Sequence, residues 1–382
     1  MTVAEVIARS LVDLDVRVVT HVPGHGGTQT FDAFRAISQG EHPISFHEEV
    51  AYTIAHGAAL LGTRSCCLIK THGFIKAMNS VVDSLSCGTT ASFVTILFDD
   101  KTGNHSDNIF EIEPILYGCK IPYRRITAAS LQQDLEDAFR DSQFDGLPYC
   151  LVIDADEVTR SIEYQPVHIE PVDQGYVRDI TQHLVTPIFA EHQHRSLQWK
   201  LDEGSEPEPV TVKTLQESLP AAYLKAVGPY LPVFDAFKQI EFDFVTGDAG
   251  VSTLSAFPPY DIVSAATYMG GSLPLAMGAY LAGKERAWAF TGDFSFIAAG
   301  HLGLIEAIER NIPLKVLIYA NGQAQTTGGQ PLDLTHLDRV LGGYEAYVRR
   351  VNADSGLVEA LREASDAEGL RILVVTFQGK GA

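Results

Sequence analysis

The chain has 382 residues, 46% apolar and 20% charged, a composition that supports buried cores and argues against extensive disorder. Its formal net charge of -20 disfavours nucleic acid and anionic membrane surfaces, both of which need clustered Lys and Arg. No run reaches the length of a membrane span, and the amino terminus carries Glu5 and Asp13 where a secretory leader would be basic and then apolar. The five cysteines (Cys66, Cys67, Cys87, Cys119, Cys150) form no CxxC pair, so reduced thiols in a cytoplasmic protein are expected.

In chain order, 2–15 places Val3, Val6, Ile7, Leu11 and Leu14 on one helical stripe. Val16–Val22 predicts a buried strand that runs into the turn Pro23-Gly24-His25-Gly26-Gly27. Further strands are predicted at 66–70, 92–98 and 149–154, each separated by helix-compatible sequence, an order that implies a parallel sheet covered on both faces. The pattern weakens between about 162 and 209, and Asp202–Pro209 (DEGSEPEP) reads as a linker. A second alternating unit follows, with strands at 242–246, 287–291, 314–320 and 371–377. The fold class is therefore α/β, two parallel-sheet domains with helices on both faces: 1–165, a linker 166–210, and 211–382.

Ligands of open α/β sheets bind beyond the carboxyl ends of strands, which directs attention to the loops that follow them. One strand runs into Gly292-Asp293-Phe294 and the next into Asn321-Gly322-Gln323. An Asp, an Asn carbonyl oxygen and a nearby backbone carbonyl suit the oxygen coordination of Mg²⁺ and leave positions for diphosphate oxygens. The helix opening after Gly292 also offers free N–H groups to an anion. Taken alone, Asp293 and Asn321 equally suit caps and turns.

The surrounding residues decide between these readings. Gly292-Asp293, one helix and one strand before Asn321, resembles the signature of thiamine diphosphate-dependent enzymes. Upstream, Met269-Gly270-Gly271-Ser272-Leu273-Pro274-Leu275-Ala276 is similar to the segment whose leading apolar residue wedges beneath that cofactor; core filler is the plainer use of a Met. Gly247-Asp248-Ala249-Gly250 stands where relatives have a loop on the diphosphate, and Gly329-Gln330-Pro331 is similar to a segment of phosphonopyruvate decarboxylases and of indolepyruvate ferredoxin oxidoreductases. The resemblance thus implies a pyrimidine-binding first domain and a diphosphate-binding second one. It assigns Gly247, Asp248, Ala249, Met269, Gly270, Gly292, Asp293, Phe294, Asn321 and Gln323 to the cofactor, and Asp293, Asn321 and Gln323 to the metal. One departure is Ala320, where relatives carry Asn or Asp.

Thiamine chemistry requires loss of the thiazolium C2 proton, which a carboxylate on N1′ of the pyrimidine promotes through the cofactor's own amino group. Phe46-His47-Glu48-Glu49 and the helical residues after it resemble the family segment that supplies this carboxylate. Glu48 precedes Gly57 by the family's nine positions. Glu48 is the candidate; Glu49 reads as a solvated or capping neighbour at a helix start. His25, on the turn after the first strand, corresponds to a polar residue that handles substrate and protons in relatives, against a plain exposed turn His. His72 and His105 lie on loops that border the cleft in relatives, and His47 is expected beside Glu48. A Gly-x-Gly-Asn segment is usual in decarboxylases; here Gly73-Phe74-Ile75-Lys76 replaces it, and Lys70 and Lys76 read as surface lysines or contacts for an anionic substrate. Gly24-His25-Gly26-Gly27 does not fit a dinucleotide fingerprint.

The length leaves no expected room for the middle domain of acetolactate synthases, and no clustered cysteines suit iron–sulfur clusters. The expected activity is non-oxidative decarboxylation of a small 2-oxo acid to an aldehyde, with thiamine diphosphate and Mg²⁺. Carboligation to an acyloin, a 2-oxo acid oxidoreductase subunit working with a separate electron-carrying chain, and cofactor binding without catalysis are the alternatives. The family resemblance also implies a homodimer or homotetramer.

Overall fold

Long apolar runs demand a sheet covered on both faces, and the computed structural model, which describes residues 1–171 and 175–377, builds such sheets in two units, Met1–Val177 and Arg178–Ala382. Residues 172–174 of the expected linker and 378–382 of the expected second domain lie outside the described residues.

The first unit holds β1 (Val18–His21), β2 (Ser65–Lys70), β3 (Phe93–Asp99), β4 (Tyr123–Ile126) and β5 (Tyr149–Asp154), ordered β1-β2-β3-β5-β4 with every pairing parallel. The helix Val3–Asp13 begins at a capping box, in which Thr2 Oγ1 accepts from the Glu5 N–H and the Glu5 carboxylate accepts from the Thr2 N–H. Its apolar stripe shares one core with Val94, Ile96 and Phe98 of β3. The alternate residue Phe93 instead meets Tyr52 of the helix Glu48–Leu60, ring centroids 4.7 Å apart, so both faces of the strand are covered.

The second unit holds β6 (Phe244–Asp248), β7 (Ala265–Thr267), β8 (Ala287–Gly292), β9 (Lys315–Ala320), the short hairpin β10 (Gln323–Ala324) with β11 (Gln330–Pro331), β12 (Val348–Asn352) and β13 (Arg371–Thr376). Its main sheet runs β12-β13-β9-β8-β6-β7, all parallel. Trp288, Phe290, Leu317, Tyr319 and Leu373 form its core with Phe234 and Phe237 of the helix Leu231–Phe237.

In the two larger sheets, the strands that the apolar pattern did not announce are β4, β7 and β12, each at a sheet edge. An edge strand needs no continuous apolar run, and Tyr123-Arg124-Arg125-Ile126 and Val348-Arg349-Arg350-Val351-Asn352 are largely part-exposed. The segment 166–210 contains the helices Ile180–His183 and Ala190–Lys200, whose Gln193 is buried and donates to the carbonyls of Thr181, Gln182 and Leu184. Asp202–Pro209 itself carries no helix or strand.

Phe237 meets Trp288 at 5.2 Å and Phe290 at 4.7 Å, both edge-on. Phe237→Ala is expected to destabilise the second unit by about 3–5 kcal/mol, read as an earlier transition in urea denaturation.

Candidate active site

β8 and β9 are neighbours in register, Gly292 opposite Tyr319, so the two chains leave the sheet side by side. Asp293, the first residue beyond β8, is 1% exposed. Its Oδ1 accepts from the Phe294 N–H and its Oδ2 from the Gly322 N–H, each at 2.7 Å. Gly322 reaches back because it adopts φ +67, a left-handed conformation that favours glycine. Burial raises the Asp293 pKa while these backbone donors lower it, and among the described residues no basic side chain pairs with it. Asn321, also buried, accepts from the Gln323 N–H at Oδ1 (3.0 Å) and donates from Nδ2 to the Tyr230 hydroxyl (2.6 Å).

Asp293 and Asn321 line one pocket together with Asp248, Ala249, Met269 and Gln323, and among the described residues no Lys or Arg borders it. Gly292 and Phe294 border it as well. Met269 is 44% exposed on that pocket, as a contact for a bound molecule would be. Gly247 and Gly270 do not border it: Gly247 packs on Ser252 and Val263, and a Cβ on Gly270 would stand 2.5 Å from the Gly300 nitrogen. Asp248 is turned inward, accepting from the Ser272 N–H and the Thr291 hydroxyl, with burial raising its pKa to about 6. The Gln323 side chain donates to Gln325. The pocket also includes Gly250, which the sequence places on the diphosphate loop, and Val251, Ser252 and 324–327, which sequence reasoning missed because they lie in or just before short 3₁₀ turns with no periodic pattern.

In the first unit, the ends of β1, β2, β3 and β5 converge. His25, beyond β1, stacks on His105, beyond β3, at 3.6 Å and 15°. His105 Nε2 lies 3.2 Å from Asp156 Oδ1 and His25 Nε2 4.0 Å from the same atom, while Gln29 Nε2 is 3.1 Å from His25 Nδ1. Burial lowers the His25 pKa, and the neighbouring His105 adds to that effect. The loop bearing His105 is tied by Asp100, whose carboxylate accepts from the N–H groups of Gly103 and His105 and the Thr102 hydroxyl. Lys70, at the end of β2, donates to the His105 carbonyl and the Ser106 hydroxyl. Ligand-type atoms of His25, His105 and Asp156 lie within 4.8 Å of one another. Stacked rings point their lone pairs nearly parallel and not towards one centre, so the trio suits proton sharing better than chelation. Asp156 was missed although it lies just beyond a predicted strand. His72 stands apart, 2.6 Å from Asn108 and edge-on to Phe110.

Glu48 opens the helix Glu48–Leu60, and its Oε2 lies 3.0 Å from Lys76 Nζ. Gly73 is required beside it, since a Cβ there would approach Glu48 Cγ to 2.6 Å. Lys70 and Lys76, expected as surface lysines or contacts for an anionic substrate, both have partners within the unit, and Lys76 is exposed. Glu49 is partly buried: burial, then the nearby Asp83, raises its pKa to about 7.

A carboxylate and an amide at adjacent strand ends, with a separate carboxylate at a helix start, define a class of two-unit α/β cofactor enzymes. Residues 1–96 match the thiamine pyrophosphate enzyme N-terminal TPP-binding domain and 247–375 its C-terminal TPP-binding domain. The chain belongs to the thiamine diphosphate-dependent enzyme family. Two curated relatives, indolepyruvate oxidoreductase subunits IorA of Methanothermobacter marburgensis and Methanothermobacter thermautotrophicus, are 36% and 33% identical over 84 residues. That stretch is 22% of this chain and only 14% of each relative. Solved structures share the fold: benzoylformate decarboxylase from Polynucleobacter necessarius (13% identity, 98% of each chain, TM-score 0.69) and a candidate thiamin diphosphate-dependent enzyme from Mycobacterium smegmatis (14% identity, 98% of this chain and 99% of that one, TM-score 0.65). Among the described residues, no helix is long and apolar enough to cross a membrane.

Because Glu49 binds its proton more tightly when folded than its ordinary pKa of 4.5 implies, its stabilisation is present below that value and lost as pH rises through about 7. The melting temperature of Glu49→Gln relative to the unaltered protein is expected to climb across that window.

Proposed function

We propose that the protein decarboxylates a small 2-oxo acid without oxidation, releasing an aldehyde, with thiamine diphosphate and Mg²⁺. The resemblance further supports a homodimer or homotetramer, while the cysteine usage and the strand–helix pattern support a cytoplasmic protein with domains 1–165 and 211–382 joined by 166–210. The observation that carries the reading is Asp293, a buried carboxylate beside Asn321 in a pocket that no basic side chain borders among the described residues. A diphosphate entering such a pocket brings more negative charge, which a low-dielectric site cannot hold uncompensated. A hard divalent cation held by Asp293, Asn321 Oδ1 and an oxygen of Gln323 offsets both charges. Asp248, Ala249, Gly292 and Phe294 would surround the diphosphate, and Met269 would support the middle of the cofactor.

Thiamine diphosphate, when bound, supplies the carbon nucleophile and the electron sink. Glu48 is the carboxylate that would bond the pyrimidine nitrogen, with Lys76 holding its Oε2 in place. His25 and His105, sharing Asp156, can hold and pass a proton at their ring nitrogens, and His72 is a further candidate for that transfer. Likeness to the indolepyruvate oxidoreductase subunits favours a second reading, a catalytic chain that passes electrons to a partner.

A panel of 2-oxo acids supplied with thiamine diphosphate and Mg²⁺ separates the two. The decarboxylase yields CO₂ and aldehyde without an oxidant, whereas CO₂ appearing only with an artificial oxidant would reject it. Glu48→Gln is expected to lower turnover roughly 100-fold or more with the fold intact by circular dichroism.

A further inference from the structure

A side-chain amide presents an oxygen and an NH₂ group of nearly equal shape, and only the oxygen can ligate a cation. For Asn321 two contacts decide which one is presented. The Gln323 N–H donates to Oδ1 from two residues along the chain, and Nδ2 donates to the hydroxyl of Tyr230, which lies far away in sequence. We infer that Tyr230 is a positioning residue for the metal ligand Asn321, holding its amide so that the oxygen and not the nitrogen faces the cation. This inference rests on the proposed Mg²⁺ site.

The Tyr230 ring is 1% exposed and pinned by its neighbours, edge-on to Tyr319 at 5.7 Å and to Phe377 at 4.8 Å, so the hydroxyl cannot swing away. Ala320 supplies no polar group beside Asn321. The polar contact comes instead from the segment Gly228–Tyr230.

The test uses the full chain with saturating thiamine diphosphate and reads Mn²⁺ affinity from the electron paramagnetic resonance of free Mn²⁺. Tyr230→Phe is expected to weaken Mn²⁺ binding roughly 10- to 100-fold, the usual cost of losing a contact behind a metal ligand. In an Asn321→Asp background both terminal atoms are oxygens and orientation ceases to matter, so the same Tyr230→Phe change is expected to cost only about twofold or less. Equal losses in both backgrounds would mark a general packing defect and overturn the inference, as would Mn²⁺ affinity unchanged by Tyr230→Phe. Failure of the unaltered protein to take up Mn²⁺ would remove the proposed metal site and the inference with it.

Discussion

A carboxylate taken out of water must be compensated, and around Asp293 that requirement organises the second unit. Two backbone N–H groups supply part of the compensation, one from the residue that follows and one from Gly322 beyond the neighbouring strand. That second bond exists because β8 and β9 are parallel, adjacent and in register, and because residue 322 is a glycine in the left-handed region. The remaining negative charge has no basic partner among the described residues. The proposed cation would offset that carboxylate together with the diphosphate.

The first unit solves a different problem, that of arranging polar groups on loops without letting them fray. Asp100 folds its own loop around a carboxylate, and Lys70 grips the same loop from the end of β2. His105 is thereby delivered against His25 and Asp156 from three separate strand ends. Parallel topology makes this possible, since every strand of the sheet ends on the same edge.

Backbones that agree at TM-scores of 0.65 and 0.69 with only 14% and 13% identity illustrate how little of a sequence an α/β scaffold specifies. Packing tolerates almost any apolar residue of suitable volume.

From the residues alone, the central strands and the Asp293–Asn321 pair were legible. Fully buried strands must be continuously apolar, as in Leu317 and Ile318, and side-chain oxygens beyond strand ends come from few residue types. Edge strands such as Val348–Asn352 were not, because exposure on one side erases the apolar signal. Nor could sequence order reveal that Tyr230 lies against Asn321, that Asp156 joins His25 and His105, or that Lys76 meets Glu48 and Glu49 is half-buried. Those relations join residues through packing across strands and helices, and partners chosen in three dimensions leave no spacing to read. The sequence by itself determined the types of chemistry available and the strand ends that bear them; the tertiary structure alone decided which polar groups face one another.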